Sequence, residues 1–176
     1  MISQLLINEL TVLAFAALLL VAAVEDVRRL TIPNRIPLAI IMLYPAYVLS
    51  APVPVDWAGA AVLAGSSLSV GLILFAYRFT GGGDVKLFVA ACLWAGPALF
   101  PNFLLITVLV GAAVGIGMML HRRFVATPAT LAPGAPASPG AADPSAAPRR
   151  RQLELPYGTA IAAGGVNVAT TLLFGA

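Results

Sequence analysis

The chain has 176 residues, of which 60% are hydrophobic and 10% charged, and its mean hydropathy is +0.97. Soluble domains usually carry about 25% charged residues, and disordered chains lack the apolar bulk seen here, so both classes are excluded. What remains is an all-α polytopic membrane protein: six spans of ~20 residues use ~120 residues and leave short loops and one longer connection.

The other totals narrow the chemistry. The single cysteine, Cys92, lies in an apolar run and gives no disulfide framework or cysteine-rich zinc site. The single histidine, His121, stands beside Arg122 and Arg123 and cannot make a histidine-based metal centre. No metal or other cofactor is expected. The net charge of +3 with a pI near 9.5 could suggest nucleic acid. In a chain this apolar, excess Lys and Arg report loop orientation instead, so the expected surroundings are lipids and not nucleic acid.

In chain order, the first apolar run, 5–24, contains Asn8 and Glu9, lacks a basic leader and is followed by Glu25 and Asp26. It is expected to be a retained span and not a cleaved signal peptide. The second run, 36–53, follows Pro33 and Asn34. Proline disfavours a helical Ile32, Asn34 is a natural N-cap, and Pro37 is tolerated in the first turn. Runs 57–79 and 85–99 flank Gly81-Gly82-Gly83-Asp84-Val85-Lys86. The fourth run is the shortest, and Lys86 near its start must snorkel or find a partner. The fifth, 103–120, contains Gly111 and Gly115 in a GxxxG spacing. The sixth, 157–174, contains Gly164, Gly165 and Asn167. These small and polar groups are expected to serve helix packing.

Between the fifth and sixth runs, residues 126–148 are almost wholly Ala, Pro, Gly, Ser and Thr. That composition cannot offset the entropy of ordering. The expected organisation is a five-span region over 1–125, a flexible Ala/Pro-rich cytoplasmic linker over 126–151, and a last helix over 152–176 belonging to the same domain. All ten Lys and Arg fall between spans one and two, three and four, or five and six. By the positive-inside rule these loops face the cytoplasm, and both termini lie outside it.

Ionisable groups at membrane depth are costly, so the two acids at the cytoplasmic edge are informative. Asp26 ends the first span and Asp84 opens the fourth, which puts both at one level of the bilayer. The glycines before Asp84 allow a close approach to a neighbouring helix. Two carboxyls brought together share a proton: the ionised one takes a proton from water while the protonated one hydrogen-bonds a scissile carbonyl. The alternative is a pair of interface ion pairs, Asp26 with Arg28 or Arg29 and Asp84 with Lys86. Glu25 is a rival first acid, but adjacent helical residues point about 100° apart, so only one of the two can face Asp84.

The stretch Asp26-Val27-Arg28-Arg29-Leu30-Thr31-Ile32-Pro33-Asn34, with Gly81-Gly82-Gly83-Asp84-Val85-Lys86-Leu87, resembles the two signatures of the type IV prepilin peptidase family, membrane aspartyl proteases of the GxGD class. Leu155-Pro156-Tyr157-Gly158-Thr159-Ala160-Ile161 also resembles a segment of that family. The resemblance implies that Asp26 and Asp84 are the catalytic pair, that Gly81, Gly83, Pro33 and Asn34 shape the motifs, and that Lys86 is placed to tune the pair. It also implies a prepilin or pseudopilin precursor as substrate, cut on the cytoplasmic side of a bacterial inner membrane. Bifunctional members carry a cysteine-rich domain and methylate the new N-terminus; this chain resembles the compact, cleavage-only form of Flp/Tad-type pilus systems.

Other features carry less. Gly81–Lys86 is not a phosphate-binding loop, because Leu87 follows the lysine where Ser or Thr is needed. Pro97-Ala98-Leu99 matches a presenilin-like tripeptide but falls toward the opposite face. Cys92 reads as a core residue and His121 as an interface residue. The competing functions are a non-catalytic scaffold of a pilus or secretion machine and, with less support, a small transporter. The residues that read the leader and the oligomeric state are not legible.

Overall fold

A computed structural model describes residues 2–29, 31–125 and 157–175. It is all-helical: α1 (Ile2–Arg29), α2 (Arg35–Ser50), α3 (Trp57–Ala76), α4 (Gly82–Val125) and α5 (Tyr157–Phe174), with no strand among the described residues. The expected linker, 126–151, and Leu155 and Pro156 of the third motif lie outside the described residues.

Helix α4 departs from expectation. Its 44 residues would reach about 66 Å if straight, twice the ~30 Å hydrocarbon layer. Gly96, at φ 55° and ψ 179°, breaks it. Phe88 and Phe103 would sit about 22 Å apart along a continuous helix, yet their ring centroids are 5.4 Å apart. The chain therefore folds back at Gly96, making a first leg over 82–95 and a second over 97–125. Two spans joined through 100–102 were expected. The reversal instead uses one glycine in a backbone region that side chains disfavour, and Pro97 starts the second leg where its missing N–H costs nothing.

Among the described residues, α1, α3, α4 and α5 are long and apolar enough to cross a membrane, while α2 is a shorter apolar helix of 16 residues. Large apolar side chains face outward along them, including Leu10, Leu13 and Leu20 on α1 and Val62, Val70 and Ile73 on α3. In water such a surface would aggregate; in lipid it is the ordinary exterior. Helix α3 is capped at both ends. The Asp56 Oδ1 accepts from the Gly59 N–H at 2.9 Å. At the other end Phe79 N–H donates to Leu74 O and Arg78 N–H to Phe75 O, a Schellman arrangement with Arg78 at φ 60°.

Helix ends gather at two levels. A Cβ on Gly71 would meet Val85 and one on Gly82 would meet Phe75, so α3 runs antiparallel to the first leg of α4. Gly165 abuts Leu19 and Gly164 abuts Phe103, which sets α5 antiparallel to α1 and to the second leg. The end of α1 and the starts of α2, α4 and α5 thus share one end of the molecule. The start of α3 meets Pro97 at the other. Toward that second end lies an aromatic core. Trp94 stacks on Phe15 at 4.2 Å and on Tyr47 at 5.0 Å, meets Tyr44 edge-on, and donates its indole N–H to Ile40 O at 3.0 Å.

Candidate functional site

Helix α1 buries Asn8, Thr11, Val12, Phe15, Leu19, Ala22 and Asp26, one stripe at steps of three and four. Asp26 is the last member, and it is 4% exposed. Glu25 points to another side and pairs with Arg29, Oε2 to Nε at 3.2 Å. Arg29 is thus engaged by Glu25, while the Asp26 carboxyl turns inward.

Asp84 lies in the first turn of α4. Gly81 N–H donates to its carboxyl while Gly81 O accepts from Val85 N–H, so the acid caps its own helix. Gly83 brings this turn against the first connection: a Cβ there would lie 3.2 Å from Ile32 Cβ and 3.4 Å from Ile32 N and O. Lys86 does not pair with Asp84; its Nζ donates to Asn34 Oδ1 at 2.9 Å. Asn34 does hold the N-cap position of α2, but its side chain makes no capping bond. The lysine has taken the acceptor that a cap would use. Pro33 supplies the carbonyl that Ile36 N–H bonds at 3.1 Å.

The start of α5 completes the cluster. The backbone amides of Gly158 and Thr159 donate to the Asp26 carboxyl. Its Oδ2 remains buried without a hydrogen-bond partner among the described residues. The positive end of the α5 dipole points at this acid. Only glycine fits at 158, because a Cβ would lie 2.7 Å from Asp26 Oδ2 and 2.9 Å from Ile32 Cδ1. Ile32, 8% exposed, is wedged between Gly83 and Gly158 beneath both acids. Two carboxyls from separate helices are therefore neighbours, held by backbone amides and a glycine-lined wall. Beside them an apolar cleft of about 980 Å³ opens, with Asp84, Thr80 and Tyr157 at its acid end.

The sequence did not single out Ile32, and it quoted Gly158 only within a resembling segment. A glycine in the first turn of an apolar helix was the available signal for Gly158. Cys92 is buried and accepts from Ser67 Oγ at 3.5 Å, His121 is exposed, and Pro97 sits at the end remote from the acids. Gly111, Gly164 and Gly165 pack against neighbouring helices, but a Cβ on Gly115 would meet nothing within 4 Å. The GxxxG spacing is therefore not a packing seam at its second glycine. Among the described residues, no group of three or more His, Cys, Asp or Glu side chains comes together to hold a metal ion.

These features define a multi-pass helical membrane protein with a paired-carboxylate site at one set of helix ends. Residues 13–116, which include both acids, match the type IV leader peptidase family, and the chain belongs to that family of membrane peptidases. It is similar to the prepilin leader peptidase/N-methyltransferase of Bacillus subtilis (strain 168), with 31% identity over 110 residues. That alignment takes in 62% of this chain and 44% of the relative, so the chain spans less than half of the relative's length. No solved structure gives a significant match.

Proposed function

We propose that this protein is an aspartic endopeptidase that removes the leader from prepilin-like precursors at the cytoplasmic face of a bacterial inner membrane. The observation that carries the reading is geometric: Ile32 is wedged between Gly158, which abuts Asp26, and Gly83, the neighbour of Asp84. One proton is shared between the two carboxyls. The ionised member draws a proton from a water as it attacks the scissile carbonyl, and the protonated member donates a hydrogen bond to the carbonyl oxygen. The tetrahedral intermediate then collapses as the pair returns a proton to the leaving amine. No covalent intermediate is needed. Gly81, Gly83, Ile32 and Gly158 set the spacing, and the amides of α5 fix the orientation of Asp26.

Among the described residues the helical legs alternate in direction, which is consistent with six spans and with both termini outside the cytoplasm. Arg28, Arg29, Arg35, Arg78 and Lys86 all lie at or near the acid end, the side that the positive-inside rule assigns to the cytoplasm.

The test is co-expression with candidate pilin precursors, scored by the mass shift of leader removal. Asp26→Asn and Asp84→Asn are each expected to lower cleavage by about 10³-fold or more while the protein still inserts. Processing by either variant at the wild-type rate would refute the pair. A purified wild-type protein that cleaves no precursor would favour a scaffold.

A further inference from the structure

Lys86 follows Asp84 by two residues, but the fold sends its side chain elsewhere. Residues two apart on a helix point about 200° from one another, so Lys86 leaves α4 on the side away from Asp84. Its Nζ donates to Asn34 Oδ1 at 2.9 Å, and among the described residues it makes no ion pair. Asn34 is free to accept because its backbone is helical, at φ −56° and ψ −23°, whereas a capping side chain needs an extended one.

Gly83 and Lys86 are three residues apart and share one face of α4. Gly83 meets Ile32 and Lys86 meets Asn34, so the connection between α1 and α2 touches α4 at two points. A single contact leaves the connection free to swivel; the second fixes its angle. That angle matters because the tip of Ile32 abuts Gly158, and Gly158 abuts the Asp26 carboxyl. A swivel about Gly83 is passed through Ile32 to the start of α5, and from there to Asp26. Direct packing of α1 on α4 does not take over this role at the acid end. Helix α1 packs along α2 and α5, and its ring contact with α4, Phe15 on Trp94, lies toward the other end.

We propose that Lys86 is a positioning residue of the acid pair: by holding Asn34 it sets the angle of the connection, and through Ile32 the place of Asp26 relative to Asp84. The inference rests on the peptidase reading and adds how the two motifs are kept in register. The lysine acts through its hydrogen bond and not through its charge on Asp84.

Three substitutions separate the tie from the charge. Lys86→Met keeps an unbranched stem and removes the donor. Asn34→Ala keeps the lysine and its charge but removes the acceptor, and Asn34→Asp supplies an acceptor again. Precursor cleavage is measured in proteoliposomes per folded protein. Misplacing a reacting group by about 1 Å costs on the order of 10²-fold, and a smaller swivel is expected to lower kcat roughly tenfold in Lys86→Met and Asn34→Ala alike. KM should stay within about twofold, the double variant should be no slower than either single one, and Asn34→Asp should recover most of kcat. A fall in Lys86→Met with wild-type kcat in Asn34→Ala would assign the effect to charge and overturn the proposal. Multiplied losses in the double variant would overturn it as well. Hydrogen exchange without substrate reads the tie apart from catalysis, at the Ile36 and Leu38 amides, which bond Pro33 O at 3.1 Å and Asn34 O at 3.2 Å. Faster exchange at both amides in Lys86→Met and Asn34→Ala supports the tie, and unchanged exchange in both overturns it. A wild-type protein that cleaves no precursor would defeat the peptidase reading, while exchange would still decide whether Lys86 holds the connection.

Discussion

Gly158→Ala is the most discriminating substitution. The added Cβ would lie 2.7 Å from Asp26 Oδ2, 2.8 Å from its Cγ and 2.9 Å from Ile32 Cδ1. Ordinary non-bonded carbon contacts sit at about 3.5–4.0 Å, so relief requires a shift of close to 1 Å. The backbone of α5 is tied to its neighbours through Gly164 and Gly165, so the groups that move are the Asp26 carboxyl and the Ile32 tip. Misplacing a reacting group by about 1 Å costs on the order of 10²-fold in rate, equivalent to about 2.7 kcal/mol of transition-state stabilisation. Global stability changes little, because alanine gains up to about 1 kcal/mol of helix propensity against the local strain. The assay pairs kcat for precursor cleavage in proteoliposomes with thermal unfolding in detergent. The expected outcome is kcat reduced about 100-fold with an unfolding midpoint near that of wild type. A variant with wild-type kcat would show that Asp26 is not held by the start of α5, and the geometry of the pair would have to be redrawn.

Lys86→Met and Asn34→Ala each remove the same 2.9 Å hydrogen bond. Each should cost about 1 kcal/mol, and a double-mutant cycle should show their effects to be less than additive; full additivity would mean that the tie carries nothing. Trp94→Ala removes a 2%-exposed side chain stacked on Phe15 and Tyr47. It should lower stability by about 3 kcal/mol in detergent unfolding and leave the KM of the surviving folded protein near wild type. Arg78→Gly relieves a left-handed residue at the end of α3 and should raise stability by about 1 kcal/mol in the same experiment. A lower unfolding midpoint would show that the arginine side chain matters more than its backbone.

The helical class could be read in advance because it rests on long apolar runs, and the two acids stood out by their position at the ends of such runs, while the roles expected of them came with the family resemblance. Asp26 follows Leu19 and Ala22 at steps of three and four, so it continues a buried stripe that Glu25 leaves. Asp84 follows three glycines, and the opening of the last apolar run resembled a known segment. Tertiary partners were not readable. Asn34 looked like a cap because its type and place fit one, and only the fold brings Lys86 to compete for its oxygen. The turn after the fourth span was expected over 100–102 because the apolar runs stop and resume there, whereas the reversal depends on the φ of Gly96. Gly115 belonged to a spacing that usually means contact, and whether a neighbour stands opposite it is set by helices distant in sequence.

The aromatic cluster around Trp94 is separated from the acids along every helix that supplies it. From Phe15 to Asp26 the rise along α1 is about 16 Å, and from Trp94 to Asp84 along α4 about 15 Å. The helix segments between the cluster and the acids are therefore long lever arms. A rocking of about 4° about it would carry a carboxyl through about 1 Å, the displacement to which reaction rates are most sensitive. Close packing at the remote end would then set the positional tolerance at the reactive one.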